Sequence, residues 1–400
     1  MASVSSLFPS NRWWANLPQC ISRPGVKKLI PEIDGLRWLA IVPVVLQHLA
    51  ERLQHASVQL QQPLQGDAFS FLAGRGFSGV FLFFALSGFI ISLPFYQAAK
   101  SGLQSPSLSA YLLRRLSRLE PPFLIIMMMC FIGYLGVKRE LLTEDLIHFL
   151  AAITYTHGFW FEQYNPINPV TWSLEVEIQF YLLAPLLLWL LLHLKSAKHR
   201  QWLTVFLIVM IGILQHVTMA YLVPSKLHVW GHLHLFMAGL LAADLYVNPA
   251  KIRAINPLTA DILFTLALCF TFLLRKHEAI AWITYPFWLF MLLYFSFRSG
   301  LWRRVITLPW ITGLGGMCYS IYLLHLPLAE AWMKLGKYLI IGNDFGINFL
   351  LQSLFFIPLT VFTSLLVFLY LERPCMVRNW PSLVKQALFP PKHLLPNDPS

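Results

Sequence analysis

Arg37 and His48 stand eleven residues apart in the run IPEIDGLRWLAIVPVVLQHLAERL, residues 30–53, where apolar side chains otherwise dominate. Ionisable groups at membrane depth are costly and face protein-lined cavities, where they handle protons, ions or substrate. A helix advances 1.5 Å per residue, so this spacing puts both side chains near one face and about 16 Å apart along the axis. One belongs near a membrane surface and the other deep inside. A neutral histidine takes up a proton near pH 7, whereas a guanidinium suits an anion. The structural alternatives are a histidine bonding a neighbouring helix and an arginine snorkelling to headgroups. Asp34 is a candidate ion-pair partner for Arg37.

A second basic group lies in YLLRRLSRLEPPF, residues 111–123, where Arg115 and Arg118 are at i and i+3 on one helical face. Guanidinium groups bind phosphates bidentately, although basic residues also serve topology in short loops. In TWSLEVEIQFYLLAP, Glu175 and Glu177 are two apart and point to different sides of a helix, so both cannot face one cavity. Ser87 and Gly88 in FFALSGF suit close helix approach, and no G-x-S-x-G elbow surrounds the serine. The glycines of GLGGMCYS, residues 313–320, suit packing or a helix break, with Tyr319, Ser320, Tyr322 and His325 supplying polar contacts. His228, His232 and His234 have no acidic or thiol companion, which favours an interfacial or acceptor-site role over a metal site. The five cysteines have no paired spacing and imply neither a disulfide framework nor zinc.

The elements that must position these groups are apolar helices. Of 400 residues, 57% are hydrophobic and only 12% charged, and runs of about 20 apolar residues are transmembrane candidates. The expected fold is an all-α, polytopic transmembrane bundle of about ten spans: 36–54, 77–98, 119–138, 172–194, 201–222, 229–247, 258–274, 279–297, 311–331 and 347–371. Residues 145–162 carry Asp145, His148, His157 and Glu162. A crossing there would turn the later basic loops outward, so this stretch reads as re-entrant or interfacial. Both termini are then cytoplasmic, and Lys100, Arg114, Arg115, Arg118, Lys195, Lys198, Arg200, Lys251, Arg253, Arg298, Arg303 and Arg304 fall in inside loops. The net charge of +12 is thereby assigned to topology rather than nucleic acid. The expected organisation is a cytoplasmic tail over 1–31 without a cleaved signal peptide, a membrane domain over 32–374 and a proline-rich, disordered cytoplasmic tail over 375–400.

Six segments in order, IDGLRWLA with the Arg37 to His48 spacing, GVFLFFALSGFIIS, YLLRRLSRLEPPF, TWSLEVEIQFYLLAP, GGMCYSIYLLHLP and LERP, resemble acyltransferase family 3. These are bacterial integral-membrane O-acyltransferases of the cytoplasmic (inner) membrane. The resemblance runs from about residue 32 to 374 and implies acyl transfer from a cytoplasmic acyl-CoA, typically acetyl-CoA, to a hydroxyl of a carbohydrate or glycolipid acceptor. No bound cofactor or metal is implied, and the acceptor side can involve a separate extracytoplasmic partner. On this reading His48, Arg37 and Asp34 form the catalytic group, with His48 taking the acceptor proton or carrying the acyl group itself. Arg115, Arg118 and Arg37 hold the phosphates of CoA, and Glu177, Ser87, Tyr322 and His325 position the reactants. Glu175 stands where the family usually has a small residue, Ile178 where it often has a second acid and Cys318 where it often has serine. Glu372 in LERP is expected to be structural, pairing with Arg373 or a basic loop. Two alternatives from other classes are a proton- or anion-coupled transporter or exporter, which the lack of an inverted repeat disfavours, and a non-catalytic subunit that recruits a polysaccharide synthase.

Overall fold

The structure is a computed structural model in which residues 30–56, 71, 74–140, 142–220, 222, 225–249, 255–274, 279–376 and 380 are described. Residues 1–29 of the expected N-terminal tail and most of the expected tail over 375–400 lie outside the described residues, and α1 begins at the last residue of the former, Pro31. All regular structure among the described residues is helical. In chain order the helices are α1 (Pro31–Ala56), α2 (Phe77–Lys100), α3 (Leu108–Lys138), α4 (Thr143–Ile153), α5 (His157–Phe161), α6 (Trp172–Leu192) and α7 (Ala197–Val217). They continue as α8 (Leu233–Val247), α9 (Pro257–Leu273), α10 (Ala279–Ser296), α11 (Leu301–Ile306), α12 (Pro309–Gly316), α13 (Cys318–Gly336) and α14 (Phe345–Val367).

Each of the ten apolar runs is therefore helical over most of its described length, and among the described residues six helical stretches are long and apolar enough to cross a membrane, or seven if the bent pair α12 and α13 is one span. The shortfall from ten falls on three short helices, α8, α9 and α10. At 15 residues, α8 is about 22 Å long, against a hydrocarbon core of about 30 Å. A 3-10 turn, Val229–His232, precedes it. Residues 145–162 form no spanning helix: α4 has 11 residues and α5 only five. On the outside of α3, α7 and α14, Met129, Ile132, Phe206, Leu350 and Leu354 are exposed. This apolar girdle suits lipid.

At the centre α8 packs along α2, with nearly every residue of α8 buried. Small residues permit that crossing: a Cβ on Gly239 would collide with the Ala85 carbonyl, and one on Gly88 with the Phe236 carbonyl. The expected closeness at Ser87–Gly88 is thus carried by the glycine. Phe84, Phe180 and Phe236 stack in the space between α2, α6 and α8. Arg200 on α7 grips Asp244 on α8 with two bonds of 2.7 and 2.6 Å in a buried pair. Such a forked contact fixes the rotation of one helix against another.

α1 lies against α2, α12 and α13. Gly315 is pressed onto the backbone of Asp34, where a Cβ would overlap the carbonyl. The helix then breaks at Met317, and α12 meets α13 at 67°. This is the break that the GLGG sequence permits. α3 continues through Pro121 and Pro122, which lack the N–H groups that would bond Ser117 and Arg118. The Trp380 indole donates to the Ser117 carbonyl instead, at 3.2 Å.

Candidate functional site

The first turns of α1 and α3 face the same interior space. Arg37, Arg115 and Arg118 line a cavity of about 110 Å³ together with Ser87, Glu177 and Tyr322. Six of the nine residues singled out from the sequence thus meet here, brought by α1, α2, α3, α6 and α13. Asp34 sits one turn behind Arg37 and accepts from its Nη1 at 2.5 Å. That bond orients the guanidinium, and Asp34 itself does not line the cavity.

Glu177 is held by neutral donors rather than by an arginine. The Ser87 hydroxyl donates to its Oε1 at 2.5 Å, and the Tyr181 hydroxyl donates to the same oxygen at 2.6 Å. Arg115 lies over the Tyr181 ring at 5.7 Å. Arg118 is the arginine with a carboxylate: its Nη2 is 3.1 Å from Glu372 Oε1, and Ser320 donates to the other oxygen of Glu372 at 2.7 Å. Glu372 is fully buried and ends a π-helical turn, Phe368–Glu372. Its partner is therefore Arg118, one of the basic residues assigned to an inside loop, which the structure places within α3, rather than Arg373. An arginine held by one carboxylate still has free donors for an incoming anion.

His48 opens onto a different space. With Gln47, Glu51, Arg52, Tyr164, Trp172 and Lys226 it lines a second cavity of about 310 Å³. Val80 lines both cavities, and Trp172 and Ser173, consecutive on α6, line one each. The two spaces abut across the N-terminus of α6. Along α1, the helical rise places Arg37 about 16 Å from His48, in keeping with their separate cavities.

The His48 imidazole is oriented by a residue that the sequence reading passed over. Nδ1 of His48 lies 3.0 Å from Oε2 of Glu51, and Gln47 donates to Oε1 of the same carboxylate at 2.7 Å. A carboxylate only accepts, so the proton sits on Nδ1 and Nε2 keeps its lone pair. This is the arrangement of an imidazole general base. The i, i+3 spacing from His48 was the available signal for Glu51.

His325 on α13 packs beside His48, with ring centroids 5.1 Å apart. Its Nδ1 donates to the carbonyls of Tyr322 and Ile321 at 2.7 and 3.1 Å, and the ring is fully buried. Tyr322 in turn donates to the Val170 carbonyl at 2.5 Å and pairs with Ser173 at 3.1 Å. These bonds lock α13 onto the start of α6, at the boundary between the cavities.

Outside this centre, Glu175 points away from Glu177, as the spacing predicts, and accepts from the backbone N–H of Gly158 at 2.9 Å. It anchors α5 to α6. The three histidines near residue 230 do not converge on one point: His228 packs at a tilt against Phe159, His232 donates to the Lys226 carbonyl at 3.1 Å, and His234 packs on Trp282, which His232 also approaches. His148 and His157 share a bond of 2.9 Å that ties α4 to α5. Burial pushes the His157 imidazole down to about 4, with the neighbouring His148 adding to the shift.

Comparison with known proteins gives the family. A family model described as an acyltransferase domain matches residues 30–369. The peptidoglycan O-acetyltransferase OatA of Listeria monocytogenes is 26% identical over 333 residues, covering 76% of this chain and 50% of that protein. O-acetyltransferase OatA of Staphylococcus aureus is 31% identical over 179 residues, 42% of this chain and 26% of the relative. The chain thus spans half or less of the length of these relatives. No solved structure matches. With a family match through both cavities and every helix that builds them, this multi-pass membrane chain belongs to the acyltransferase domain family, whose members are enzymes that transfer acyl groups.

Proposed function

We propose that the protein is a membrane O-acetyltransferase that moves an acetyl group from acetyl-CoA to a hydroxyl of a carbohydrate or glycolipid of the bacterial envelope. The Listeria relative's designation as a peptidoglycan O-acetyltransferase supports that acceptor class. The bundle crosses the cytoplasmic membrane about ten times with both ends inside, an orientation favoured by the basic loops. The arginine cavity then opens toward the cytoplasm and the His48 cavity toward the outside.

This reading rests on two abutting cavities, one lined by three arginines and the other by His48 with Glu51, with Val80 common to both. Arg37, Arg115 and Arg118 take the phosphates of CoA, and the thioester extends past Val80 toward His48. The acceptor hydroxyl gives its proton to Nε2 of His48 while its oxygen attacks the thioester carbonyl. The C–S bond breaks, and the proton passes from His48 to the departing CoA sulfur. Ser87, Glu177, Tyr322 and His325 act as positioning residues, and Asp34 acts through Arg37. A separate extracytoplasmic partner is compatible with this route, because the acceptor arrives from outside.

Purified protein in detergent, supplied with acetyl-CoA and envelope glycan, should release free CoA and yield acetylated glycan. His48→Ala should fold normally and lose that activity. A folded His48→Ala protein with full acyl transfer, or substrate transport without thioester turnover, would overturn the reading.

A further inference from the structure

The chemistry above uses neither cation of the His48 cavity, Arg52 or Lys226, and of the two only Arg52 has a salt-bridge partner among the described residues. Lys226, in the short 3-10 turn Ser225–Leu227, projects into the cavity across from α1. Its ammonium lies 4.7 Å from the Trp172 ring and 5.2 Å from the Tyr164 ring, and it donates to the Tyr164 hydroxyl at 2.6 Å. An ammonium has three donors, so two remain. Of the other charged groups in this cavity, Arg52 pairs with Glu330 at 3.4 Å, and the Glu51 carboxylate is taken up by hydrogen bonds from Gln47 and the neutral His48, reaching Lys226 only as a longer-range charge. Among the described residues Lys226 makes no salt bridge. Its backbone is fixed as well, since its carbonyl accepts from His232 and Gly231 packs against its Cα. Burial pushes the ammonium down to about 8, against a partial upward pull from Glu51. It is a desolvated cation, still protonated at neutral pH, aimed into a cavity with room for a saccharide unit and walled by two aromatic faces.

We propose that Lys226 binds an anionic group, a carboxylate or phosphate, carried by the acceptor beside the hydroxyl presented to His48. The preferred acceptor is then an acidic saccharide or glycolipid, lying with its apolar face on Trp172 and Tyr164. The inference rests on the reading of the His48 cavity as the acceptor site and extends it to a substrate class.

The full chain in detergent, without donor, is titrated with methyl glucuronide and glucose 6-phosphate as acidic probes and methyl glucoside as the neutral one, with binding read by thermal shift. Wild-type protein should bind at least one acidic probe about ten-fold or more tightly than the neutral one, as a hydrogen bond to a charged group implies. Comparing the two acidic probes separates a carboxylate from a phosphate. Lys226→Gln should lose the preference, and Lys226→Arg should keep it. Added salt should weaken the acidic probe and spare the neutral one, a readout that needs no variant to fold. His48→Ala should keep the preference while losing acyl transfer, so failure of the chemical reading and failure of the Lys226 assignment give different results. Wild-type protein with no acidic preference, a folded Lys226→Gln protein that retains it, or a preference indifferent to salt would overturn the assignment.

Discussion

Replacing Glu51 by glutamine tests the proton-transfer chemistry at its most exposed joint. The carboxylate fixes the His48 ring through Nδ1 at 3.0 Å and is itself held by Gln47 at 2.7 Å. A hydrogen bond to a charged group contributes about 1.5–3 kcal/mol. The Glu51 side chain is 38% exposed and that of His48 23%, so solvent screening reduces the value to about 1–2 kcal/mol. Glutamine keeps the shape but not the charge, and its amide can donate to Nδ1, which moves the ring proton to Nε2 and removes the base. The expected result is a fall in kcat of about five- to thirty-fold, since 1.36 kcal/mol corresponds to tenfold. KM for acetyl-CoA should stay near the wild-type value, because Glu51 does not line the arginine cavity. Steady-state release of CoA thiol, followed with a thiol reagent, gives both constants. A second comparison isolates the route: if Glu51 acts through His48, adding Glu51→Gln to His48→Ala changes the residual rate no further. Wild-type kcat in a folded Glu51→Gln protein, or equal and independent losses in the two backgrounds, would refute the assignment.

Arg115→Ala should raise KM for acetyl-CoA by about ten-fold or more with little loss of kcat, and should flatten the salt dependence of KM; steady-state kinetics at two ionic strengths would check it. Asp244→Ala leaves Arg200 buried without its forked partner, and a destabilisation of about 3–5 kcal/mol is expected, read as a fall in thermal midpoint in detergent. The depressed His157 imidazole ties stability to pH. Between its ordinary value near 6.5 and about 4 the unfolded chain binds a proton that the folded chain refuses, so stability is present at neutral pH and is lost as pH falls through this window. His157→Gln should reduce the drop in thermal midpoint between pH 7 and pH 5; an unchanged drop would remove His157 as its cause.

The helical bundle was legible in the chain because an apolar run in lipid has few other ways to satisfy its backbone. The local pairs were legible too, since α1 places Asp34 beside Arg37 and Glu51 beside His48 by helical spacing alone. Even so, only the first of these was anticipated, because an acid near the helix end reads as surface charge. The opposed directions of Glu175 and Glu177 followed from the same periodicity. The length of α8 did not, because whether a 15-residue helix crosses depends on its tilt and neighbours rather than on composition.

The sequence by itself determined that Arg37 and His48 share a helix and lie about three turns apart. It also put Arg115 and Arg118 on one face. Only the tertiary structure decided that these arginines enclose one cavity while His48 opens onto another, that Ser87 and Tyr181 hold Glu177, and that Glu372 reaches Arg118 across 254 positions. Lys226 was invisible for the same reason. Its meeting with Trp172 and Tyr164 depends on how the turn before α8 is set against the start of α6, just as the crossing of α8 with α2 depends on small residues such as Gly239 against Ala85. Helical periodicity governs neighbours a turn or so apart along one element, whereas contacts between elements depend on packing that no single segment encodes.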